Sequence, residues 1–337
     1  MYQFRFIGFL LLLNPASWAL DVLDLSTAGQ WFQPVRERPS IRLQSAYGWE
    51  STGRQQNDNQ RSLTRNGGYA LVAGRVWRDE RQEVVVRAGA IDIKQYGDVA
   101  LPETGALPEQ LQDVRVGAFW RTVSSDGRTV LGLDAESSSP SDVPYSGSET
   151  TSFSATAFAG LPSGERDSWI LGLRYDSNRS FAPGVPLPAV AYRFAHSPAW
   201  TAIIGLPVTS IEGGLAPQLR GLLLWSLVDV FKAELQWLPG NEQRPFLAPW
   251  IVTLGASQTG ETWLRADRED EDQRLSYRTG RVYLAGEYQP FPGNRLRLAG
   301  GWIPYRFVQE NDSVFSSENR VHLDPAWFGS LGLRLAY

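Results

Sequence analysis

The chain holds 337 residues with a formal charge of −4, and 20% of them are charged against 42% hydrophobic. Its 15 Phe, 13 Trp and 12 Tyr exclude a disordered chain, which is poor in aromatics, and the lack of an apolar run of about 20 residues excludes a helical membrane bundle. Cysteine is absent, Met1 is the only methionine, and of the 32 basic residues only Lys94 and Lys232 are lysine, with no basic tract of the kind nucleic acid recruits. Disulfides, thiolate metal sites, a thiol nucleophile and a methionine-lined cofactor site are thereby excluded, and no cofactor is expected.

Residues 1–19 set Arg5 ahead of the apolar stretch Phe6 to Leu13, followed by Ala16-Ser17-Trp18-Ala19. A basic start, a short apolar core and small residues three and one before a cut after Ala19 make a secretory signal, too short to span a bilayer as a helix. No cysteine follows the cut, so lipid anchoring is not available to the exported chain. Residues 20–39, with Pro34 and Pro39, read as an irregular periplasmic lead-in to the domain that begins at residue 40, with entry into the barrel as a plug left as an alternative.

From residue 40 to 337 apolar and polar residues alternate in segments of about ten, the length of a tilted membrane-spanning strand. Val116, Ala118 and Trp120 oppose Arg115, Gly117 and Arg121, and Trp169, Leu171, Leu173 and Tyr175 oppose Gly172, Arg174 and Asp176. The pattern recurs at Val282 and Leu284 against Arg281 and Glu287, and at Leu296, Leu298 and Trp302 against Arg295 and Arg297. It closes with Trp327, Leu331, Leu333, Leu335 and Tyr337 against Ser330, Gly332 and Arg334. Alternation alone also fits a soluble sandwich. Aromatic residues near the ends of the greasy faces, Tyr47, Trp49, Trp169, Tyr175, Trp302, Trp327 and Tyr337, favour a membrane barrel with interfacial girdles.

Short turns are expected near Asp79–Gln82, Ser124–Gly127, Pro162–Asp167, His196–Ala199, Pro239–Gln243 and Pro290–Asn294. Long polar loops are expected near 50–67, 95–111, 137–149, 178–187, 264–274 and 309–325. This strict order predicts an all-β, closed antiparallel transmembrane barrel with short periplasmic turns and long extracellular loops. Between Trp200 and Leu238 the period blurs. Two strands there give a total of 14, which is the preferred count within a range of 12 to 16; four short strands give 16, and an amphipathic helix over Gln218–Leu238 is the alternative.

The block Pro186-Leu187-Pro188, Tyr192-Arg193-Phe194, His196-Ser197-Pro198, Trp200 and Gly205-Leu206-Pro207 resembles a family of Gram-negative outer-membrane barrels of unknown function. The resemblance implies an outer-membrane barrel over 40–337 and supplies no activity. The ending on Tyr337 is similar to the signal that such barrels present to their insertion machinery. Lipids and lipopolysaccharide are the other partners implied, with a small-molecule solute and no nucleic acid.

Strand parity turns Arg42, Arg87, Arg115, Arg121, Arg174, Arg193, Arg281, Arg295, Arg297 and Arg334, with Lys232, toward the lumen. Glu50, Asp134, Glu136, Asp176, Glu234 and Glu287 share that face, so basic groups outnumber acidic ones. The sharp expectation is a channel or passive transporter favouring small anionic solutes, since guanidinium forks bind carboxylate and phosphate. The bland one is charge pairing that fills the lumen of a structural or surface-interaction barrel. A run of Asp267, Glu269, Asp270, Glu271 and Asp272 reads as solvated charge, with a Ca²⁺ or Mg²⁺ bridge to lipopolysaccharide as its functional alternative. A lipid-modifying enzyme built on His322 with Ser316, Ser317 and Asp324 ranks last, because no nucleophile-elbow or metalloprotease motif occurs. The expectation is therefore of no enzyme and no bound metal.

Overall fold

The computed structural model describes residues 40–337 apart from 57, 180–181, 198, 227–229, 241–248, 269, 292 and 313–318. The signal 1–19 and the lead-in 20–39 lie outside the described residues. The described chain is built of strands: β1 (Ile41–Gln55), β2 (Asp58–Arg78), β3 (Gln82–Gly97), β4 (Ala100–Leu101), β5 (Gly105–Ala106), β6 (Gln110–Val123) and β7 (Val130–Ser141). There follow β8 (Ser152–Ser163), β9 (Asp167–Asp176), β10 (Leu187–Ser197), β11 (Trp200–Leu206), β12 (Val208–Ala216), β13 (Leu219–Ser226) and β14 (Phe231–Trp237). The last are β15 (Trp250–Trp263), β16 (Arg274–Tyr288), β17 (Arg295–Asn311), β18 (Arg320–Leu323) and β19 (Ala326–Ala336).

All but the β4–β5 hairpin form one antiparallel sheet, which closes where β19 pairs with β1 from Arg42↔Ala336 to Glu50↔Phe328. Closure removes every sheet edge, the condition for exposing an apolar sheet to lipid. β18 and β19 both lie between β17 and β1, interrupted at Asp324-Pro325, and so form one stave. The wall then has 16 staves rather than the preferred 14. The difference lies in 200–238, which folds as the four short strands β11 to β14, with no helix among its described residues. Pro207, with no N–H to donate to a ladder, stands at the reversal between β11 and β12, and Pro217-Gln218 turns β12 into β13.

Ser40 and Tyr337, the two ends of the described residues, lie together at one end of the barrel, called here the terminal end. The far end departs from the expected loops. Residues 50–67 are not a long loop, because β1 and β2 continue as a hairpin until Gln55 faces Asp58. These extensions are rich in polar residues on both faces, which hides a period of two. At the terminal end, residues 241–243 of the expected short turn at Pro239–Gln243 lie outside the described residues. Long and short connections therefore do not alternate strictly.

The outer surface carries a continuous apolar band. Leu43, Tyr47, Trp49, Val116, Leu173, Val190, Ile204, Leu223, Leu254, Leu284, Leu298 and Leu331 are exposed on it, while their strand neighbours point inward. Its height varies. At about 3.4 Å per residue and a tilt of about 40°, Trp327 to Tyr337 spans about 26 Å along the axis, whereas Trp200 to Leu206 spans about 16 Å. The barrel thus has a tall arc, from β15 through β19 and β1 to β7, and a low arc at β11 to β14.

At the far end the tall arc closes on itself. β7 and β15 stand on opposite sides of the ring, yet Ser141 bridges Leu264 and Leu264 N–H donates to Pro140 O at 2.7 Å. Ala266 N–H donates to Asp142 Oδ1 at 2.8 Å, and Arg268 donates to Glu149 O at 2.5 Å. Beneath this roof Leu63, Ile93, Val99, Leu101, Leu111, Trp263, Leu275, Val308 and Leu323 form an apolar core drawn from both sides of the arc. Each such side chain contributes roughly 1.5–3 kcal/mol on burial, so the roof is a packed substructure.

Candidate functional site

The alternation that gives the barrel its greasy exterior turns a charged face inward, and the structure sorts that face into groups. On β1, Glu50 accepts from Arg281 of β16 at 2.6 Å, from Arg306 of β17 at 3.5 Å and from the Tyr277 hydroxyl. Beside it Arg65 of β2 donates to Glu261 of β15 at 2.8 Å and stacks on the Tyr277 ring at 3.7 Å. β2 and β15 are five staves apart, so this pair ties the two flanks of the tall arc together.

A second group surrounds Glu234 on β14, which accepts from Lys232 and from the Tyr283 hydroxyl at 2.8 and 2.6 Å. Arg297 lies 3.8 Å from Glu234 and donates to Glu287 at 2.9 Å, and Arg295 reaches Glu287 at 3.4 Å. A third sits near the terminal end, where Glu83 of β3 pairs with Arg121 of β6 at 2.6 Å and Arg75 of β2 at 3.1 Å. The fourth lies on β3, β6 and β7. There Arg87 makes two 2.7 Å bonds to Asp134 and one of 2.8 Å to Glu136, while Arg115 contacts Asp113 and, at 3.5 Å, Glu136.

Every arginine predicted to line the lumen thus faces inward. Arg87, Arg115, Arg121, Arg281, Arg295 and Arg297, with Glu287, stand in the ion-paired groups, and Arg174 pairs with Asp176 at 3.0 Å. Arg193 donates to Arg166 O at 3.3 Å near the terminal end, while Arg42 and Arg334 lie on β1 and β19 with inward parity. The carboxylate partners leave each of the four groups within one charge of neutrality.

Six charged members of these groups escaped the parity argument, Arg75 beside the β2 bulge and Asp113 on the far-end part of β6 among them. Arg65 and Glu261 lie on far-end extensions, Glu83 stands at the start of β3, and Arg306 follows a bulge. Between Gly280↔Tyr305 and Val282↔Trp302 the partner strand β17 carries extra residues, Ile303 and Pro304. That shift moves the inward positions from Arg295 and Arg297 to Arg306 and Glu310. Pro304 inside an otherwise regular strand is the sequence signal for it.

An apolar stripe also runs around the inner wall. Phe119, Val130, Phe158, Ile170, Ala191, Ile203, Val208, Leu224 and Val230 form one continuous buried stripe from β6 to β14. Phe158 covers the Cβ position of Gly132, and its ring stacks on Phe119 with centroids 6.0 Å apart. The inner face thus combines ionic groups on β1 to β3, β6, β7 and β14 to β17 with an apolar stripe that crosses from β6 to the start of β14.

The predicted girdle residues face outward. Trp327 packs on Trp302 with centroids 4.9 Å apart, one belt with Trp49, and Tyr47 lies one pair nearer the terminal end. Trp169 meets Tyr192 at 4.9 Å near the terminal end, Tyr175 lies toward the far end beside Phe153, and Tyr337 ends the chain at the terminal rim. His322 packs against Phe307 and Tyr305, while Ser316 and Ser317 lie outside the described residues. In the acidic run, Asp267 pairs with Arg265 at 2.8 Å and Asp270 accepts from the Asp272 amide at 2.9 Å. Among the described residues no three carboxylates or histidines converge as a metal site.

No family model and no curated protein matches the chain. Among solved structures it is similar to the COG4313 outer membrane channel from Pseudomonas putida F1, at 10% identity and TM-score 0.36 over 88% of this chain and 96% of that one. It is also similar to the TodX deltaS2S3 mutant monoaromatic hydrocarbon channel, at 8% identity and TM-score 0.42 over 91% and 92%. The translocator domain of the autotransporter NalP from Neisseria meningitidis is a third, at 10% identity and TM-score 0.28 over 90% of each chain. The likeness is one of barrel form alone.

Proposed function

We propose that this protein is an outer-membrane barrel that passes small solutes through its lumen, with the terminal end in the periplasm. The observation that carries the reading is a closed ring of 16 staves, apolar outside and lined inside by charge. Porin rings of about 16 to 18 strands enclose an aqueous channel. Lipid and lipopolysaccharide are its surroundings, and the closing strand with Tyr337 is the segment offered to insertion machinery.

The pairing of lumenal arginines with Glu50, Glu83, Asp134, Glu136, Glu234 and Glu287 argues against selectivity by net positive charge. The reading is therefore a channel of weak ion preference, with no catalytic role. Planar-bilayer recording across a salt gradient tests it: stepwise conductance with a reversal potential near zero is expected. A strong anion preference would restore the Arg-rich filter. Silence under all conditions would favour the structural or surface-interaction barrel, a reading supported by the packed roof at the far end.

A further inference from the structure

We infer that solute leaves this lumen sideways, over the low rim of β11 to β14, and that the solute is amphipathic and lipid-like. The inference deepens the channel reading above and rests on it. Three observations point to the route. At the far end, the described residues of opposite walls meet directly, with Ser141 bridging Leu264, so the axial way out is roofed. At β11 the wall stops about 10 Å short of the apolar band on the opposite side, and at β12 about 5 Å short, from the strand lengths and the same rise and tilt. The band of a membrane barrel is about 25 Å tall, so a wall of about 16 Å ends within the level of the lipid tails.

The third observation is the chemistry of that rim. A barrel wall is normally apolar outside and polar inside. Here Ile204, Leu206 and Trp225 are exposed on the outer surface, while Ile203, Val208 and Leu224 form part of the buried apolar stripe on the inner one. Both faces of the rim at these positions suit an acyl chain, and Glu212 and Arg220 lie on the same inner face nearer the terminal end. Immediately beside it, on β14, begins the ionic group of Lys232 and Glu234. A molecule with a tail and a polar head would slide its tail along the apolar stripe and carry its head against the charged arc. A fully hydrated sugar or ion gains nothing from the apolar side.

The absence of native cysteine permits a direct test in the full-length barrel. Ser141 and Leu264 are bridged backbone neighbours, within the Cα separation a disulfide accepts, so Ser141→Cys with Leu264→Cys locks the roof. The barrel is placed in phospholipid vesicles and transfer of a fluorescent lysophospholipid between leaflets is followed, beside leakage of glycerophosphocholine. Expected are lysophospholipid transfer at least tenfold above empty vesicles, retention within twofold after locking, and a drop of at least tenfold for Leu224→Asp. Loss of transfer on locking, indifference to Leu224→Asp, or equal passage of glycerophosphocholine would overturn the lateral route. Should Leu224→Asp fail to fold, a spin label on Leu224→Cys decides: greater accessibility to oxygen than to a nickel chelate is expected, and the reverse overturns it. Ion conductance without lysophospholipid transfer would defeat the lateral route and leave the channel standing, while absence of both in the native barrel would defeat both.

Discussion

The strongest consequence of the inner charge pattern concerns Glu261→Gln. Glu261 and Arg65 are bonded at 2.8 Å with side chains only 2% and 3% exposed, so neither charge is screened by bulk water. At about 4 Å between charge centres and an effective dielectric of about 20, the lost attraction is about 4 kcal/mol, within the roughly 3–5 kcal/mol expected when one partner of a buried pair is removed. The local balance adds to this. Arg65, Arg281 and Arg306 face Glu50 and Glu261, so neutralising Glu261 raises the excess from one positive charge to two. Replacing both partners with apolar residues, Arg65→Met with Glu261→Leu, removes the charge imbalance it created and is expected to stay within about 1 kcal/mol of the native protein. Urea unfolding in phospholipid vesicles, followed by tryptophan emission, measures both. Trp263 donates to Glu261 at 3.4 Å and reports locally. A loss below about 1 kcal/mol for Glu261→Gln, or a double variant as unstable as the single one, would refute the assignment of this pair as a buried, coupled tie.

Three further outcomes follow from geometry. A Cβ at Gly53 would lie 1.6 Å from Arg306 Nη2 and 2.9 Å from Asp324 O, so Gly53→Ala should displace Arg306 from Glu50 and lower unfolding stability by about 1–3 kcal/mol. At Gly97, φ is +139° and Ser62 O would stand 1.9 Å from a Cβ, so Gly97→Ala should raise the proteolytic sensitivity of the β2–β3 far end by tenfold or more in limited digestion. Gly214 has inward parity on β12 and nothing within 4 Å of its Cβ position; Gly214→Trp should therefore fold normally by heat-dependent gel migration yet at least halve single-channel conductance.

The barrel was legible where one physical rule dominated. In β19, lipid on one side and a polar lumen on the other enforce strict alternation from Trp327 to Tyr337, and the strand is visible in the residues themselves. Arg295, Arg297 and Glu287 were legible for the same reason. The rule failed where its cause stops. Above the lipid, β1 and β2 run on through Glu50 to Arg65 without an apolar face, so a strand looked like a loop. Along β11 to β13 the inner face mixes Ile203, Val208 and Leu224 with Ser210, Glu212 and Arg220, which blurs alternation and left two strands, four strands or a helix open. The pairing of Arg65 with Glu261 was out of reach for another reason: it joins residues 196 positions apart, and depends on the curl of the whole arc.

The unequal wall also sets where the barrel is mechanically weak. β15 and β16 are paired from Trp250 to Trp263, whereas β11 and β12 are paired only from Trp200 to Ile203. Opening a ladder costs roughly in proportion to the backbone bonds that break together, so local opening concentrates on the shortest seam. Amide hydrogen exchange should begin at β11 and β12 and reach the roofed arc last. Under load the ring would unzip there first, with the ion-paired arc retained as a single rigid shell.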